Sequence, residues 1–515
     1  MTDSIAITGV TANLRVPGVF VEVNSAAGPA GGTASDRPTV IVAKKLASGT
    51  YTANQLVWPQ DEAAVNAGCG YRSDAAIGWR KARAANNTQR IGIIPYAETS
   101  GGTPVAASTT ITVGGTTATG TTVWTLGVAD TDNSVLIQSG DTVAEIAGFM
   151  RSKLAGNAVV VESGSSASVI ISAPHVGTCG GVAGYKPIKV TTNAPGMGVT
   201  ITGASDVGTT TPGVEGSTTE AANFAAALAA NSGVWIYNII ADVGNNATAL
   251  ASLDAFLASQ AEPLNGKRGT AIVAYNRAIS GGTTLAQACN YERLSFVNGV
   301  AVRNTPMEIA ANIGAIFAKR EASDRTYPFA GYSLPDLLLI PVEDTTVYPD
   351  QLDQNDAILG GQMPLAVSPA GKVYIVDATT TRVLDSTGAY TDFRAYKRHR
   401  ISGADDAGDK VQTVLALNMQ GKKLSSDPVD AAGNPVYTNV VPPKVVYPRT
   451  LKKYVEKVLR DQEASGQSQD AAASIESLVM ARSTDNVERV LCSFNYRTID
   501  HATQAAVQLN ETTPG

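Results

Sequence analysis

The sequence predicts a multidomain protein of the α/β and α+β classes: an α/β core, a β-rich domain inserted into it, and extended β-arms at the N- and C-terminal ends. Three observations predict it. Apolar runs typical of buried strands alternate with helical patterns, a segment rich in Thr, Gly and Ser interrupts them, and each end holds a strand pattern with no neighbour to pair with. At 515 residues the chain exceeds the roughly 250 to 300 residues that one core holds, so several domains are expected.

Residues 1–38 are predicted to form an N-terminal arm and linker. Apolar and polar side chains alternate in VFVEVN, the period of a half-buried strand, and a Gly- and Pro-rich run follows it as a flexible tether. A single strand cannot bury its apolar face alone, so this one should join a sheet elsewhere. Its candidate pairing residues are Val19, Phe20, Val21 and Val23.

The α/β core is predicted in two parts, residues 39–98 and 217–345, separated by an inserted protruding domain, residues 99–216. TVIVAKKL and RIGIIPY suit buried strands in the first part, and VWIYNIIA and GTAIVAY do so in the second. The insertion should be β-rich with one helix, GDTVAEIAGFMRSKLAGN, which Asp141 or Thr142 caps and Gly156 ends. Helices between the core strands predict a parallel sheet.

Residues 346–488 are predicted to form a C-terminal core domain, and residues 489–515 a last strand and arm with Val507 and Leu509 as pairing residues. We expect a hairpin of long strands in AGKVYIVDATTTRVLDSTGAYTDFRAYKRHRI. A solvated loop is expected around Asp350, Asp353 and Asp356. PRTLKKYVEKVLRDQEASG predicts a helix, and the residues that share its apolar face are Leu451, Tyr454, Val455, Val458 and Leu459.

The segment 444–460 is basic within an acidic chain. The formal net charge of the chain is −6, which disfavours a dedicated nucleic-acid binder. Glu456 is the one acidic residue of the segment, whose basic residues are Lys444, Arg449, Lys452, Lys453, Lys457 and Arg460. Two interpretations stay open, a solvated helix face and a contact for an acidic partner surface.

The sequence contains no motif that predicts a catalytic residue, a cofactor site or a metal site. No lysine stands in a phosphate-binding glycine loop. Of the three histidines, His399 lies in the run YKRHR, which we expect to be exposed, and His501 lies near the C-terminal end. His175 with Cys179 could form a nucleophile pair, but no orienting acid accompanies them, so a plain loop is predicted there. The cysteines are expected to be buried free thiols.

Five segments of the sequence, taken in chain order, resemble the contractile tail sheath proteins of Mu-like bacteriophages. They are VPGVFVEVN; GDTVAEIAGFMRSKLAGN; GVWIYNIIADVGNNATALASLDAFLASQ; YPFAGYSLPDLLLIPVEDTTVYPDQLDQNDAILGGQMPLAVSPAGKVYIVDATTT; and PRTLKKYVEKVL. The likeness covers most of the chain. It implies a virion protein, assembled in the host cytoplasm as stacked hexameric rings around a tail tube. The arms would add strands to neighbouring subunits, and the sheath would contract without consuming nucleotide.

The same resemblance implies the partners and the contact residues. The partners are further copies of the chain, the tail tube protein, and the baseplate and tail terminator proteins. No direct nucleic-acid contact, membrane insertion or cofactor is implied. The residues predicted to face the tube are Lys452, Lys453, Lys457 and Arg460.

Two alternatives come from other classes. One is a hydrolase on the α/β core that uses acidic residues or the neighbourhood of His175 and Cys179. The other is a tail tube protein or an adhesin, because Thr-rich β domains are found in such proteins. Particle size separates the hypotheses, because a sheath protein should form tubes or rings and an enzyme small closed oligomers.

Overall fold

The computed structural model describes residues 37–128, 131–157, 160–177, 189–192, 198–202, 213–276, 278–338, 348–385, 387–391, 396–428, 436 and 444–499. These residues divide into two compact units. The larger contains 37–323 and 333–398, and the smaller contains 324–332 and 399–499. The predicted domain 346–488 has residues in both units.

The strands of the larger unit are β1 Thr39–Lys45, β2 Ile91–Ala97, β3 Ala106–Gly115, β4 Thr122–Val128, β5 Thr131–Ile137, β6 Val161–Ser163, β7 Ser168–Val176, β8 Lys189–Thr192, β9 Val199–Thr202, β10 Asn238–Ala241, β11 Thr270–Tyr275, β12 Leu294–Asn298, β13 Met363–Val367 and β14 Val373–Ile375. Its helices are α1 Glu62–Cys69, α2 Asp74–Ala85, α3 Val143–Leu154, α4 Glu220–Ala230, α5 Ala247–Ala261, α6 Ile279–Cys289, α7 Pro306–Glu321 and α8 Gln351–Leu359. The mixed α/β and α+β class is thereby confirmed.

The core of the larger unit is a seven-stranded sheet in the order β14-β13-β12-β11-β10-β1-β2. Its neighbouring strands are parallel except for β13 and β14. The apolar runs chosen from the sequence are buried along nearly their whole length, as in β1, where only Lys45 is partly exposed. Strands covered on both faces have no polar side to alternate with, which explains their continuous apolar runs.

The insertion contains β3 to β9 and α3. It has two antiparallel sheets, ordered β6-β7-β3-β9 and β5-β4-β8. Thr142 caps α3: its hydroxyl accepts from the Glu145 amide while the Glu145 carboxylate accepts from the Thr142 amide. Ile146, Met150 and Leu154 bury one face of α3 in the same apolar cluster as Trp124. In the part of the insertion that the structure describes, the elements are strands and one helix, as the sequence predicts.

Three predictions about the later sequence are wrong. The long hairpin is absent from the described residues, where β14 spans three residues and a single bridge joins Leu384 to Tyr390. The acidic loop is helix α8, because the Asp350 carboxylate caps its first amides in a capping box with Asp353. The run YKRHR is not exposed, since Lys397, Arg398 and His399 are 7%, 2% and 6% exposed.

Arg398 is buried because it has a charged partner. Its guanidinium forms two hydrogen bonds with the Glu321 carboxylate, of 2.6 and 2.9 Å, and a third with Asn238 Oδ1 at 2.5 Å. Lys397 Nζ lies 2.5 Å from Asp377 Oδ2. Buried charges need such partners. Glu321 lies 77 residues from Arg398, so the local sequence contains no sign of the pairing.

The smaller unit contains most of helix α9 Arg398–Met419, with α10 Pro448–Ala464, α11 Ala471–Glu476, and strands β15 Lys423–Leu424, β16 Val445–Val446, β17 Val479–Arg482 and β18 Val490–Ser493. One apolar cluster holds α9, α10 and the β17–β18 pair together, through side chains that include Val411, Leu451, Val455, Leu478 and Val490. No helix within the described ranges combines the length and the apolar composition needed to cross a bilayer.

Candidate assembly surface

Helix α10 is strongly amphipathic. It begins at Pro448, and its buried face comprises Leu451, Val455, Val458, Leu459 and Gln462. The predicted apolar face is correct for the four aliphatic residues, whereas Tyr454 lies outside it and is 38% exposed. A helix with this pattern buries one side and leaves the other free for solvent or a partner.

The exposed side of α10 carries a row of positive charge. Lys453, Lys457 and Arg460 are spaced four and three residues apart, so their side chains leave the helix on the same side, opposite Val455. All three are exposed. None has an ion-pair partner among the residues that the structure describes. We call these three residues the basic stripe.

Lys452 does not belong to the basic stripe. It is half-buried, and its Nζ donates a 2.7 Å hydrogen bond to the carbonyl oxygen of Leu478. Arg449 is similarly occupied, since it lies 3.7 Å from Asp427 and donates to the Val436 carbonyl. Lys444 is exposed. The basic segment of the sequence therefore divides into residues that hold the smaller unit together and residues that are free to meet a partner.

The β17–β18 pair lies beside α10. The strands are antiparallel, with Val479 opposite Ser493 and Arg482 opposite Val490. Among the described residues this sheet has only two strands, so the outer edge of each strand has no strand partner there. Val479 is 50% exposed. An edge with unpaired backbone groups can accept an added strand from another chain.

The predicted arm residues lie outside the described residues. They are Val19, Phe20, Val21, Val23, Val507 and Leu509. Their pairing role stays a prediction, as does the tube-facing role of Lys452, Lys453, Lys457 and Arg460.

The second site is a buried group of charges that the sequence reasoning missed. It lies at the carboxyl end of the parallel sheet, where β1 lies between β10 and β2. Lys44 Nζ lies 3.0 Å from Asp74 Oδ2, 2.8 Å from Glu220 Oε1 and 3.6 Å from Asp242 Oδ2. Tyr96 Oη donates to Asp242 at 2.6 Å. We call these five residues the Lys44 cluster.

The Lys44 cluster occupies the crevice where open α/β sheets commonly bind ligands. Its polar side chains face one another and are nearly inaccessible to solvent, with 0% exposure at Glu220 and 1% at Lys44. Burial raises the pKa of Asp242 to about 6. Lys44 opposes this rise, whereas the negative charges of Asp74 and Glu220 reinforce it. The crevice is therefore filled by the chain's own ion pairs.

His175 lies next to the Lys44 cluster. The predicted loop is wrong at this residue, which is the last but one of strand β7 and 0% exposed. Its Nε2 accepts a 3.0 Å hydrogen bond from the Asp74 amide, and its Nδ1 lies 3.5 Å from Glu98 Oε2. Cys179, its candidate partner, lies outside the described residues. Both ring nitrogens of His175 thus contact groups of the α/β core.

The described cysteines are poorly suited to nucleophilic chemistry. All three are free thiols, but the prediction that they are buried holds only for Cys69, because Cys289 and Cys492 are partly exposed. Burial raises their pKa values to about 12, 11 and 12, so the reactive thiolate is scarce at neutral pH. Within the described ranges, no cluster of His, Cys, Asp and Glu could hold a metal ion.

No protein-family model and no curated protein matches the chain. Solved structures that share similarity with it include the sheath tail proteins from Desulfitobacterium hafniense and Listeria innocua. The first has 13% identity, a TM-score of 0.44, and coverage of 94% of this chain and 100% of that one. The second has 14% identity, a TM-score of 0.45, and coverage of 93% and 94%. The contracted helical sheath of the anti-feeding prophage has 8% identity, a TM-score of 0.46, and coverage of 97% and 100%.

Proposed function

We propose that the chain is the structural subunit of a phage-type contractile tail sheath, of the kind that the sequence resemblance to Mu-like phages implies. It would assemble as stacked hexameric rings around a tail tube and contract to drive the tube through the host envelope. The observation that carries the proposal is the β17–β18 sheet, whose outer edges have no strand partner among the described residues, beside the exposed basic stripe of α10. The first offers a place for another copy, and the second a place for the tube.

The free edges would receive the arms of other copies. Ordering a six-residue strand costs about 1 to 2 kcal/mol per residue. Its hydrogen bonds return only about 1 kcal/mol each. Burial of Val19, Val21 and Val23 adds about 1.5 to 3 kcal/mol apiece, which favours attachment. Because the donor and acceptor surfaces differ, each added copy leaves a new edge free, and such an assembly can continue as a helix.

The basic stripe would face acidic side chains on the tube. One exposed ion pair contributes at most about 1 kcal/mol. A hexameric ring repeats the three charges on each subunit, so the summed attraction becomes large enough to hold the extended state in register. Lys452 was expected to share this contact, but its bond to Leu478 fits a role inside the subunit better.

Contraction would draw on free energy stored during assembly. The subunits would first pack around the tube in a metastable arrangement and then repack into a shorter, wider sheath. No nucleotide is consumed in this account, and the chain lacks a phosphate-binding glycine loop. The baseplate and tail terminator proteins would bound the sheath at its two ends, in a virion assembled in the host cytoplasm.

The hydrolase alternative is not proposed. Its nucleophile pair would need His175 as a base, but the Nε2 of this histidine already accepts a hydrogen bond from the Asp74 amide. A general base needs a free lone pair within reach of the proton that it abstracts.

Arm variants test the proposal. Deletion of residues 1–24, or of the tail after Ala502, should leave a folded protein that is largely monomeric by sedimentation velocity. A finer version replaces Val19, Val21 and Val23 with Asp, and its control replaces Glu22 and Asn24 with Ser in the same strand. The Val variant should lose the polymer and the control should keep it. Long polymers formed by both truncated proteins would refute the arm model.

A further inference from the structure

The insertion joins the core through two paired stretches of chain, residues 99–105 and 213–218, which we call the neck. Backbone hydrogen bonds of 2.9 to 3.2 Å form its two bridges, which join Ser100 to Thr218 and Val105 to Val214. A ladder of two strands is only marginally stable by itself. Contacts beside the neck therefore decide how firmly the insertion is held.

Helix α2 of the core makes an apolar contact of this kind. Its Ile77 is 3% exposed and belongs to the apolar cluster of the insertion, where it joins side chains such as Ile111, Met150 and Val169. The other members of that cluster all come from the insertion. The insertion thus completes its own apolar core with a side chain that α2 supplies.

Polar contacts join the insertion to the start of α2. Arg72, two residues before the helix, donates from Nε to the Asn157 carbonyl at 2.8 Å, and its Nη2 lies 3.8 Å from Glu162 Oε2 on β6. The amide of Asp74, the first residue of α2, donates to His175 Nε2 on β7 at 3.0 Å. One short stretch of the core therefore contacts the chain after α3 and two strands of the insertion.

Helix α2 is also fixed to the centre of the core. A Cβ on its Gly78 would lie 2.3 Å from Met307 Cε of α7, so the two helices approach closely there. Asn86, which follows α2, donates to the Ala315 carbonyl of α7 at 3.3 Å. Helix α7 in turn packs on the sheet at Gly314. The contacts of α2 thus run from the insertion, through α7, to the parallel sheet.

Asp74 links the insertion to the Lys44 cluster as well. Its amide holds His175, while its carboxylate lies 3.0 Å from Lys44 Nζ. Lys44 is 1% exposed, and separating a buried charge from its partner is costly. A displacement of the insertion that carries Asp74 along is therefore opposed by buried ion pairs.

We propose that α2 is a coupling element, which fixes the direction of the insertion so that the insertion and the sheet move as one body. An insertion held by the neck alone would turn about the two bridges. An insertion docked on α2 must first break the contacts of Arg72, Asp74 and Ile77. In the proposed sheath, a load on the insertion would reach the sheet through α2. The coupling itself does not require the sheath assignment, because it acts within one chain.

Hydrogen exchange of the bridge amides of the neck, in the full chain, tests the coupling. Arg72→Ala should raise their exchange rates by about fivefold, the equivalent of one hydrogen bond. Arg83→Ala is the matched control. Arg83 lies near the other end of α2 and also donates a 2.8 Å bond to a backbone carbonyl, that of Gln89, but its bond lies within the core. The control should leave the neck rates unchanged.

Ile77→Ala removes the apolar contact and should raise the same rates by at least about tenfold. Its control, Ile316→Ala in α7, deletes the same atoms at a buried position inside the core and should not change the neck rates. If Ile77→Ala unfolds the insertion, the amides of β3 and β7 will lose protection too. The milder Arg72→Ala then decides.

Double electron–electron resonance measures the direction of the insertion itself. Spin labels would be placed on Ser152 of α3 and Ala255 of α5, both exposed, through non-natural amino acids that leave the cysteines intact. Excess unlabelled protein suppresses distances between copies. The wild type should give one narrow distance distribution, and Arg72→Ala with Ile77→Ala a broader one. The coupling is refuted if Arg72→Ala leaves the neck rates at wild-type values, if Arg83→Ala raises them equally, or if the wild-type distribution is as broad as that of the double variant.

Discussion

The ammonium group of Lys452 donates a hydrogen bond of 2.7 Å to the carbonyl oxygen of Leu478, joining α10 to the residue before β17. The next residue, Lys453, is exposed. Two adjacent lysines of one basic run therefore have different roles, the first internal and the second available to a partner. The predictions below use this difference.

Lys452→Met should destabilise the smaller unit. The substitution keeps the aliphatic stem and removes the donor, which should cost on the order of 1 kcal/mol and leave the Leu478 carbonyl without its partner. Lys453→Met, its control, should change stability by no more than about 0.5 kcal/mol. Hydrogen exchange of the β17 amides measures both. Equal effects of the two substitutions would show that the Lys452 bond contributes nothing.

Reversing two charges of the basic stripe should prevent assembly on a tube. Lys453→Glu with Lys457→Glu would place negative charge against the acidic tube surface of the proposal. The matched control, Lys422→Glu with Lys444→Glu, changes the formal charge equally at exposed positions of the same unit. In co-sedimentation at physiological salt, the control variant should pellet with the tubes and the stripe variant should stay in the supernatant. Normal sheaths formed by the stripe variant would mean that the stripe is only a solvated face.

The larger unit should gain stability from Asp242 as the pH falls from 7.5 to 5. The folded-state pKa of about 6 lies above the ordinary value, so the ionised form costs stability above pH 6, and this cost disappears on protonation. The change should be on the order of 1 kcal/mol. In Asp242→Asn this part of the pH dependence should be lost.

Urea unfolding followed by tryptophan fluorescence suits the Asp242 measurement. All four tryptophans, Trp58, Trp79, Trp124 and Trp235, lie in the larger unit, so the signal reports that unit alone. Identical pH slopes for the wild type and Asp242→Asn would contradict the assignment. At still lower pH both proteins should lose stability, because the pKa values of Asp74 and Glu98 are lowered in the fold and their favourable ionised forms disappear on protonation.

Gly314→Ala should destabilise the larger unit. A Cβ at this position of α7 would lie 2.7 Å from Ile240 Cγ1 and 2.9 Å from Ile272 Cγ2, under the centre of the sheet. Overpacking of this kind costs about 1 to 3 kcal/mol. Gly148→Ala in α3 is the matched control, because its only neighbour within 4 Å is Arg151 Nη2 at 3.8 Å. The control should be stabilising by up to about 1 kcal/mol. Equal thermal unfolding midpoints for the two variants would contradict this account of the packing.

Local patterns predicted the parts of the fold that local chemistry determines. The apolar runs of β1 and β11 and the Thr142 cap of α3 depend on side chains within a few residues of one another. The buried charges were missed because their partners are distant: Lys44 meets Glu220 across 176 residues, and Arg398 meets Glu321 across 77. The α8 error has another cause, since Asp350 and Asp353 were considered as spaced carboxylates and not as a capping pair.

The sequence predicted only the part of the candidate surface that depends on residues close together in the chain. Helical spacing identified the apolar face of α10 and therefore the side on which Lys453 and Lys457 lie. Spacing could not reveal that Lys452 contacts Leu478, 26 residues away, because that contact depends on how β17 packs against α10. That the described residues place no third strand beside β17 and β18 is also a property of the folded unit, since a sequence does not show which strands pair.

Electron microscopy of the purified full-length protein tests the central claim most directly. A sheath subunit that joins its copies through arms on the β17–β18 edges should appear as tubes or stacked rings with sixfold symmetry, without nucleotide and without any other protein. Small closed oligomers or monomers at high protein concentration, under conditions where circular dichroism shows a folded chain, would contradict the sheath assignment.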